Sequence, residues 1–386
     1  MNHIKIYISL FLITLISNST YAQNNISELN NIILSKLPEN INIIGLGDPT
    51  HQESTITKYR IDLIKKLVED KKFKIIAIEG NIYELYKAYQ KFIQNNDISY
   101  LENAMYSQLN IAEMEELYQY VYEKNKKGDS IIITGFDPVF SGNTFVQNIE
   151  NDLKNIDFLS EKEKQDFINE LEKATIVNLK AVFRNNKKVR SKIVHYSKLI
   201  LNKFSPKSKS DYFFEQALQN IVFLYDSNQN ENSSNLRDMA MSNNISFLTK
   251  LYPNQKIILF GSSTHLLKNP TEINSNFFQN NRKTLGDLLN QNYNDKYYFI
   301  AYSGISGEKS NMFNKPKEII ELDENSIEYK YKDVTSSIFL NKSIISPEEN
   351  IYCRFLGHSF LDINIWKVMD GLILIKNIEP AKIKKL

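Results

Sequence analysis

The chain has 386 residues and a net charge of +2; 42% of its residues are hydrophobic and 24% are charged. This composition is ordinary for a globular protein with a sizeable core, and lysine and glutamate alternate without forming blocks, which gives no electrostatic footprint for nucleic acid. The single cysteine, Cys353, excludes an intramolecular disulfide and is most simply a small apolar residue.

Residues 1–22 have the features of a signal peptide. A weakly positive start, MNHIK, precedes the short apolar run IYISLFLITLI, and Thr20-Tyr21-Ala22 approximates a small-x-small cleavage site. The run is too short for a comfortable membrane span, and no cysteine follows it to carry a lipid anchor. We expect a mature chain from Gln23 that is exported, periplasmic or secreted, without a stable membrane anchor.

Helix and strand signals then alternate along the chain. Strands are predicted in INIIGLG, KIIAIEG, IIITGFDP, QKIILFG and DKYYFIAYSG. Helices are predicted in ISELNNIILSKL, STITKYRIDLIKKLVEDKKF, NIYELYKAYQKFI, MEELYQYVYEKNKK and the segment that ends in FLTKLYP. This order predicts an α/β fold with a central, mostly parallel sheet flanked by helices.

The pattern changes between about residues 150 and 230. Ser160-Glu161-Lys162-Glu163 is a capping box that opens a helix, and DYFFEQALQNIVFLYD predicts another, with no strand signal between them. We predict a helical insertion packed beside the sheet, within a single domain over residues 23–386. After about residue 305, SSIFLNKS and WKVMDGLILIK indicate short strands.

Chemically active side chains follow several of the predicted strands. They are Asp48 and His51 in GLGDPTH, Glu79, Asp137, and His265 after Ser262-Ser263-Thr264. Open α/β sheets bind ligands at the carboxyl ends of their strands, so we expect these residues to meet at one edge.

Each residue also has a purely structural explanation. Asp48 and Asp137 precede prolines, as turn residues commonly do, and for Asp137 we keep that interpretation. His51 could be a loop histidine bonded to backbone, and His265 a helix-capping detail. Glu79 is harder to explain in this way, because an acid that enters a sheet core needs a partner. The functional interpretation therefore depends on the convergence of these residues.

Arg60 strengthens the functional interpretation. It lies on the inward stripe of its helix, four residues after Ile56 and three before Leu63. A buried arginine must pair with carboxylates or a bound anion, and Asp48 and Glu79 are the nearest candidates. The alternative is an arginine at the helix edge whose charged end reaches solvent.

No motif points to another nucleophile or to a cofactor. The chain lacks a Gly-x-Ser-x-Gly elbow, a dinucleotide fingerprint, a Walker loop and an HExxH helix. A hydrolase with this sequence would use water activated by a side-chain base or by a metal.

Taken together, these residues resemble the erythromycin esterase family. GLGDPTHQE resembles the family's Gly-x-Gly-Glu-x-Thr-His-Gly loop, YRIDLIKKLVEDKKF its helix with an inward arginine, and IIAIEG its Ala-x-Glu strand end. GFDP resembles its Gly-x-Asp segment, and LRDMAMSNNISFL an Arg-Asp-x-x-Met-x-x-Asn helix start. The similarity runs from about residue 40 to 370. Asp48 replaces a glutamate, Gln52 a glycine, and Ser262 the first histidine of a late His-Asn-x-His segment.

The resemblance implies metal-independent hydrolysis of a small-molecule ester or lactone, without a cofactor. It implies His51 as the general base, with Asp48, Arg60 and Glu79 as supporting groups. His265 becomes the late histidine that binds or polarises the substrate. The resemblance also implies two substrate-binding positions, Ser262 and Arg237. Neither the substrate nor the oligomeric state follows from the sequence.

Two other functions use the same residues. Asp48, His51, Glu79 and His265 are ligand types for a divalent metal, which would make the protein a metal-dependent hydrolase or peptidase. The loss of the first late histidine would also suit a non-catalytic protein that binds a ligand in the same pocket.

Overall fold

The computed structural model describes residues 26–51, 53–140, 144–175, 187–226, 232–278, 281–310, 316–318 and 322–384. The predicted signal peptide, Gln23 and Gln52 lie outside the described residues. Within the described part of the chain, no helix is long and apolar enough to cross a membrane.

The centre of the molecule is a mostly parallel sheet, as the sequence predicts. The strands are β1 (Ile43–Asp48), β2 (Phe73–Asn81), β3 (Ile132–Asp137), β4 (Lys256–Ser262), β5 (Tyr297–Ser310), β6 (Pro316–Glu318), β7 (Ser337–Leu340), β8 (Ile351–Leu356), β9 (Ser359–Ile363) and β10 (Gly371–Ile378). The order across the sheet is β3-β2-β4-β1-β5-β10-β7, with β6 paired to β5. Neighbours from β3 to β10 are parallel, whereas β7 and β6 pair antiparallel. The strands β8 and β9 form a separate antiparallel hairpin.

Helices cover both faces of this sheet. They are α1 (26–36), α2 (Ser54–Lys71), α3 (Ile82–Asn95), α4 (Ser99–Asn103), α5 (Met114–Lys126), α6 (Phe145–Leu153), α7 (Glu161–Ala174), α8 (Lys187–Leu201), α9 (Lys209–Tyr225), α10 (Ser233–Leu251), α11 (Ser263–Leu266), α12 (Leu285–Tyr293), α13 (Ile327–Lys330) and α14 (Ile365–Val368). One core packs α1, α2 and α5 on the sheet, and the other packs α6 to α10 and α12 on the opposite face. The inner strands are near-continuous apolar runs because both of their faces are buried.

Helices occupy the region between β3 and β4. In the part of this region that the structure describes, α6 to α10 follow one another without a strand. Ser160 and Glu163 form the predicted capping box at the start of α7, each bonded to the other's backbone N–H.

The C-terminal prediction is correct for two strands and wrong for one segment. SIFL and GLILI lie in β7 and β10, whereas Ile365–Val368 form the short helix α14 instead of beginning a strand. The reason is local, because the Asn364 side chain accepts a hydrogen bond from the Trp366 N–H and caps this turn. Cys353 is buried in β8, as a small apolar residue would be.

The strand order places four carboxyl ends side by side. The strands β3, β2, β4 and β1 are neighbours, and all four run in the same direction. The residues that follow them therefore gather at one edge of the sheet, which is where open α/β sheets hold their ligands.

A close backbone contact between β2 and β3 provides a test of this arrangement. A Cβ atom at Gly135 would lie 2.0 Å from the Gly80 carbonyl oxygen and 2.6 Å from the Asn81 carbonyl carbon. Because backbone cannot rotate away, we predict that Gly135→Ala lowers the free energy of unfolding by about 3 kcal/mol in urea titrations. Gly45→Ala is the control: its Cβ would first meet the Tyr297 side chain, so a smaller loss is expected. Equal losses would contradict the prediction.

Candidate active site

Arg60 joins the ends of two neighbouring strands. It is fully buried on α2, as its place on the apolar stripe predicts, and its Nη1 group donates to the Asp48 carboxylate. Its Nη2 group donates to the carbonyl oxygens of Leu46 (2.7 Å) and Gly261 (3.0 Å). The guanidinium carbon also lies 3.4 Å from the centre of the Phe260 ring. Arg60 thus pairs with Asp48, one of its two predicted partners. The guanidinium near the other, Glu79, is that of Arg237.

His51 lies between two carboxylates in the loop after β1. Its Nδ1 atom is 2.8 Å from Asp48 Oδ1, and its Nε2 atom is 3.5 Å from Glu79 Oε2. The Asp48 contact places the proton of the neutral imidazole on Nδ1, which leaves the Nε2 lone pair available. The backbone of His51 is left-handed, with φ of 65°.

Glu79 has the partners that a buried acid needs. Its Oε2 atom accepts a hydrogen bond from the Ser262 N–H at 2.7 Å. Its Oε1 atom lies 3.4 Å from Arg237 Nη2 and 3.5 Å from His265 Nε2. The carboxylate is therefore the point at which β2, β4 and α10 meet.

His265 is the counterpart of His51 on the other side of Glu79. It lies on α11, and its Nδ1 atom is 2.9 Å from Asp238 Oδ1. Arg282 Nη2 donates to Asp238 Oδ2 at 2.7 Å, and the Leu285 N–H donates to Oδ1 at 2.8 Å. Each histidine therefore lies between Glu79 and its own aspartate, and each aspartate is bound by its own arginine. We call this set the charged row: Arg60, Asp48, His51, Glu79, His265, Asp238 and Arg282.

Asp137 belongs to the site as well as to a turn. Its Oδ1 atom accepts from the Val139 N–H at 3.0 Å, which agrees with the turn interpretation. The same carboxylate is completely buried and accepts hydrogen bonds from Arg237 Nε (3.1 and 3.2 Å) and from the Tyr106 hydroxyl (2.8 Å). The turn interpretation alone was therefore incomplete, because Asp137 also fixes Arg237.

The two carboxylates change the protonation of His51. Burial alone would lower the pKa of His51, but Asp48 and Glu79 raise it to about 10. The imidazole is therefore charged at neutral pH. Because the folded-state pKa exceeds the unfolded value of 6.5, this charge stabilises the fold below about pH 6.5, and the contribution is lost as the pH rises through about 10.

The other members of the charged row are shifted by the same forces. Burial opposes ionisation of Glu79, yet His51, His265 and Arg237 hold the pKa of its carboxyl well below the ordinary value. Burial likewise opposes ionisation of Asp48, whose pKa is lowered by His51 and Arg60. The pKa of His265 is raised, because Asp238 and Glu79 outweigh the effect of its burial.

A cavity of about 350 Å³ opens onto part of this site. Its lining residues are His51, Glu79, Tyr106, Ser107, Gln108, Leu109, Val139 and Arg237. Asp48 and Arg60 are buried and do not line the cavity. Ser262 is not among the lining residues: its N–H binds Glu79, and its hydroxyl accepts from the Thr264 N–H at 3.2 Å as the cap of α11.

The carboxylate oxygens of the site contact positively charged side chains and hydrogen-bond donors of the protein itself. Among the residues that the structure describes, no group of three or more His, Cys, Asp or Glu side chains could hold a metal ion. The oxygens of Asp48, Glu79 and Asp137 instead contact arginines, histidines, a tyrosine hydroxyl and backbone N–H groups.

Sequence reasoning missed three residues of this site. Asp238 lies beside Arg237 in the Arg-Asp pair of LRDMAMSNNISFL, but its sequence context alone assigns it no role. Arg282 and Tyr106 carry no periodic or motif signal, because they come from the connections after α11 and α4. Their roles depend on contacts between residues that are 31 or more positions apart.

Comparisons with known proteins agree with this architecture. The sequence model of the family described as erythromycin esterase matches residues 68–357. A Bacillus subtilis (strain 168) protein, "Putative hydrolase YbfO", is 27% identical over 395 aligned residues, which cover 91% of this chain and 87% of that protein.

Two solved structures share the fold. One is that of a succinoglycan biosynthesis protein, with a TM-score of 0.77, 16% identity and 91% coverage of both chains. The other is that of a mutant of the erythromycin esterase EreC in its open conformation, with a TM-score of 0.69 and 16% identity; it covers 92% of this chain and 95% of EreC.

The buried pair of Arg60 and Asp48 can be tested through stability. Arg60→Met keeps much of the apolar bulk but leaves the buried Asp48 without its guanidinium, so we expect the free energy of unfolding at pH 7 to fall by about 3–5 kcal/mol in urea titrations. The control is Lys65→Met on the same helix. Lys65 pairs with the exposed Glu116, and a loss of about 0–1 kcal/mol is expected. Similar losses in both variants would argue against a structural role for the buried pair.

Proposed function

Because the chain belongs to the erythromycin esterase family, we propose that it hydrolyses an ester or lactone of a small molecule with water activated by His51. The family and the name of the Bacillus subtilis relative support a hydrolase as the class of enzyme. One observation carries the assignment of the base: His51 lines the cavity, with Nδ1 against Asp48 and Nε2 toward Glu79.

The proton steps follow from that geometry. In the neutral form, Asp48 keeps the proton of His51 on Nδ1, and Nε2 takes a proton from a water molecule in the cavity. The hydroxide oxygen bonds to the carbonyl carbon of the substrate and gives a tetrahedral intermediate. Collapse of the intermediate breaks the bond to the leaving alkoxide, which takes the proton from Nε2. The products are a carboxylic acid and an alcohol.

Arg237 is suited to stabilise the charge of the intermediate. Its Nε and Nη2 groups donate to Asp137 and Glu79, which leaves the Nη1 donors for a substrate oxygen. The side chain is 32% exposed and lines the cavity, and Asp137 fixes its orientation. A guanidinium held in this way can meet a developing oxyanion without first reorganising.

His265 has a supporting place in the proposal. It does not line the cavity, but its Nε2 atom is 3.5 Å from the Glu79 oxygen that Arg237 also approaches. Its positive form reduces the negative charge on Glu79 and so limits how strongly Glu79 holds the proton of His51. We also propose that catalysis needs no metal ion, because His51 supplies the base and Arg237 supplies the positive charge.

Replacement of His51 tests the assignment of the base. We expect His51→Asn to lower kcat/KM by about 10²- to 10⁴-fold on whichever member of a panel of esters and lactones, macrolides included, the parent protein cleaves. His195→Asn is the control, because His195 is exposed on α8. All assays are run with and without a chelator. Full activity in the His51 variant would refute the assignment, and loss of activity on chelation would favour a metal-dependent hydrolase.

The pH dependence of the parent protein gives a second test. With the pKa of His51 near 10, only about one imidazole in a thousand is neutral at pH 7. A base with this pKa predicts that log(kcat/KM) rises by about one per pH unit between pH 6 and 9. The rate in the presence of the His51→Asn variant is subtracted to remove alkaline hydrolysis of the substrate. A rate that falls over this range would show that the charged imidazole is the active form.

A further inference from the structure

The proposed mechanism leaves one buried histidine without a role. His358 lies in the turn between β8 and β9, and its Nε2 atom donates to Glu53 Oε1 at 2.8 Å. Both side chains are almost completely buried. Glu53 Oε1 also accepts a hydrogen bond from the Thr50 hydroxyl. His358 therefore contacts, through Glu53, the loop that carries His51.

The same turn makes a second contact with this loop. The Gly357 N–H donates to the Pro49 carbonyl oxygen at 3.3 Å. Pro49 is two residues before His51, and Glu53 is two residues after it. The turn between β8 and β9 thus holds the loop on both sides of the proposed base.

The loop needs such support because of the backbone of His51. Its φ of 65° is left-handed, a conformation that is unfavourable for a residue with a Cβ atom. Such a conformation persists only where the surrounding structure fixes it. Within the charged row, only His51 and Arg282 lie in loops, whereas the other five members lie in strands or helices.

A histidine at position 358 is energetically unfavourable for the turn that contains it. It also has a left-handed backbone, with φ of 57°, and its buried Nδ1 atom has no hydrogen-bond partner among the residues that the structure describes. A glycine or asparagine would satisfy the backbone of the turn more readily. The contact with Glu53 is therefore the feature that the histidine adds.

We infer that His358 is a positioning residue, which acts through Glu53 to hold the His51 loop against Asp48 and Glu79. It lies outside the residues that line the cavity, and one residue beyond the segment that matches the family model. The catalytic consequence rests on the proposed function, whereas the effect on the position of His51 does not.

Nuclear magnetic resonance of protein labelled in the histidine rings tests the inference without a substrate. The chain has only five histidines, so single substitutions assign each ring signal. His358→Leu removes the donor to Glu53. As His51 moves away from its carboxylates, we expect its titration midpoint to fall by at least one pH unit. On a substrate that the parent cleaves, kcat should fall about 10- to 100-fold, with KM within about twofold.

Two further variants separate positioning from general damage. His358→Gln places an amide donor near the position of Nε2, and should restore the His51 midpoint and most of kcat. His195→Leu, at an exposed histidine, should leave both unchanged. An unchanged His51 midpoint in folded His358→Leu protein would overturn the inference.

Thr50→Val decides the matter if His358→Leu does not fold. It removes only the hydroxyl that donates to Glu53, and should lower the His51 midpoint in the same direction by a smaller amount. A midpoint equal to that of the parent would then overturn the inference. If no ester or lactone is cleaved by the parent, the proposed function fails, while the midpoints still decide whether His358 positions His51.

Discussion

The buried carboxylate of Glu79 is the constraint on which the rest of the site depends. An isolated carboxylate in a sheet core is strongly unfavourable, so the fold must bring positive groups and N–H donors to it. The groups arrive from separate parts of the chain: His51 after β1, Ser262 at the end of β4, and Arg237 on α10. The carboxylate is satisfied only when these elements are correctly assembled. The fold that buries this carboxylate is therefore also the arrangement that brings the site together.

The two aspartates extend this requirement outward. Each histidine that approaches Glu79 is itself buried, and its charge is compensated by Asp48 or Asp238. Each aspartate in turn is bound by an arginine. The alternation of sign along the charged row keeps every member next to opposite charge. It also raises the pKa of His51, so that in the proposed mechanism the imidazole is a strong base but is mostly protonated at neutral pH.

The sequence predicted what depends on local pattern and missed what depends on distant contacts. Apolar periodicity identifies the strands, places Arg60 on a buried face, and marks Glu79 as an acid in a core, because each of these signals lies within a single strand or helix. The pairing of His265 with Asp238, and of His358 with Glu53, joins residues 27 and 305 positions apart. No local pattern reports such pairs. Asp137 shows the intermediate case, since its turn was readable and its contact with Arg237 was not.

The chain departs from the family's loop motif at Asp48, and the geometry of the site shows the consequence. Asp48 is one methylene shorter than the family's glutamate, yet it still reaches both His51, at 2.8 Å, and Arg60. A shorter side chain tolerates less movement of the loop that carries His51, whose backbone is left-handed. The shorter acid therefore increases the demand for a fixed loop. In this view the shorter Asp48 side chain and the contacts of the β8–β9 turn act together. Asp48 stays close to His51 because the turn holds the loop between them.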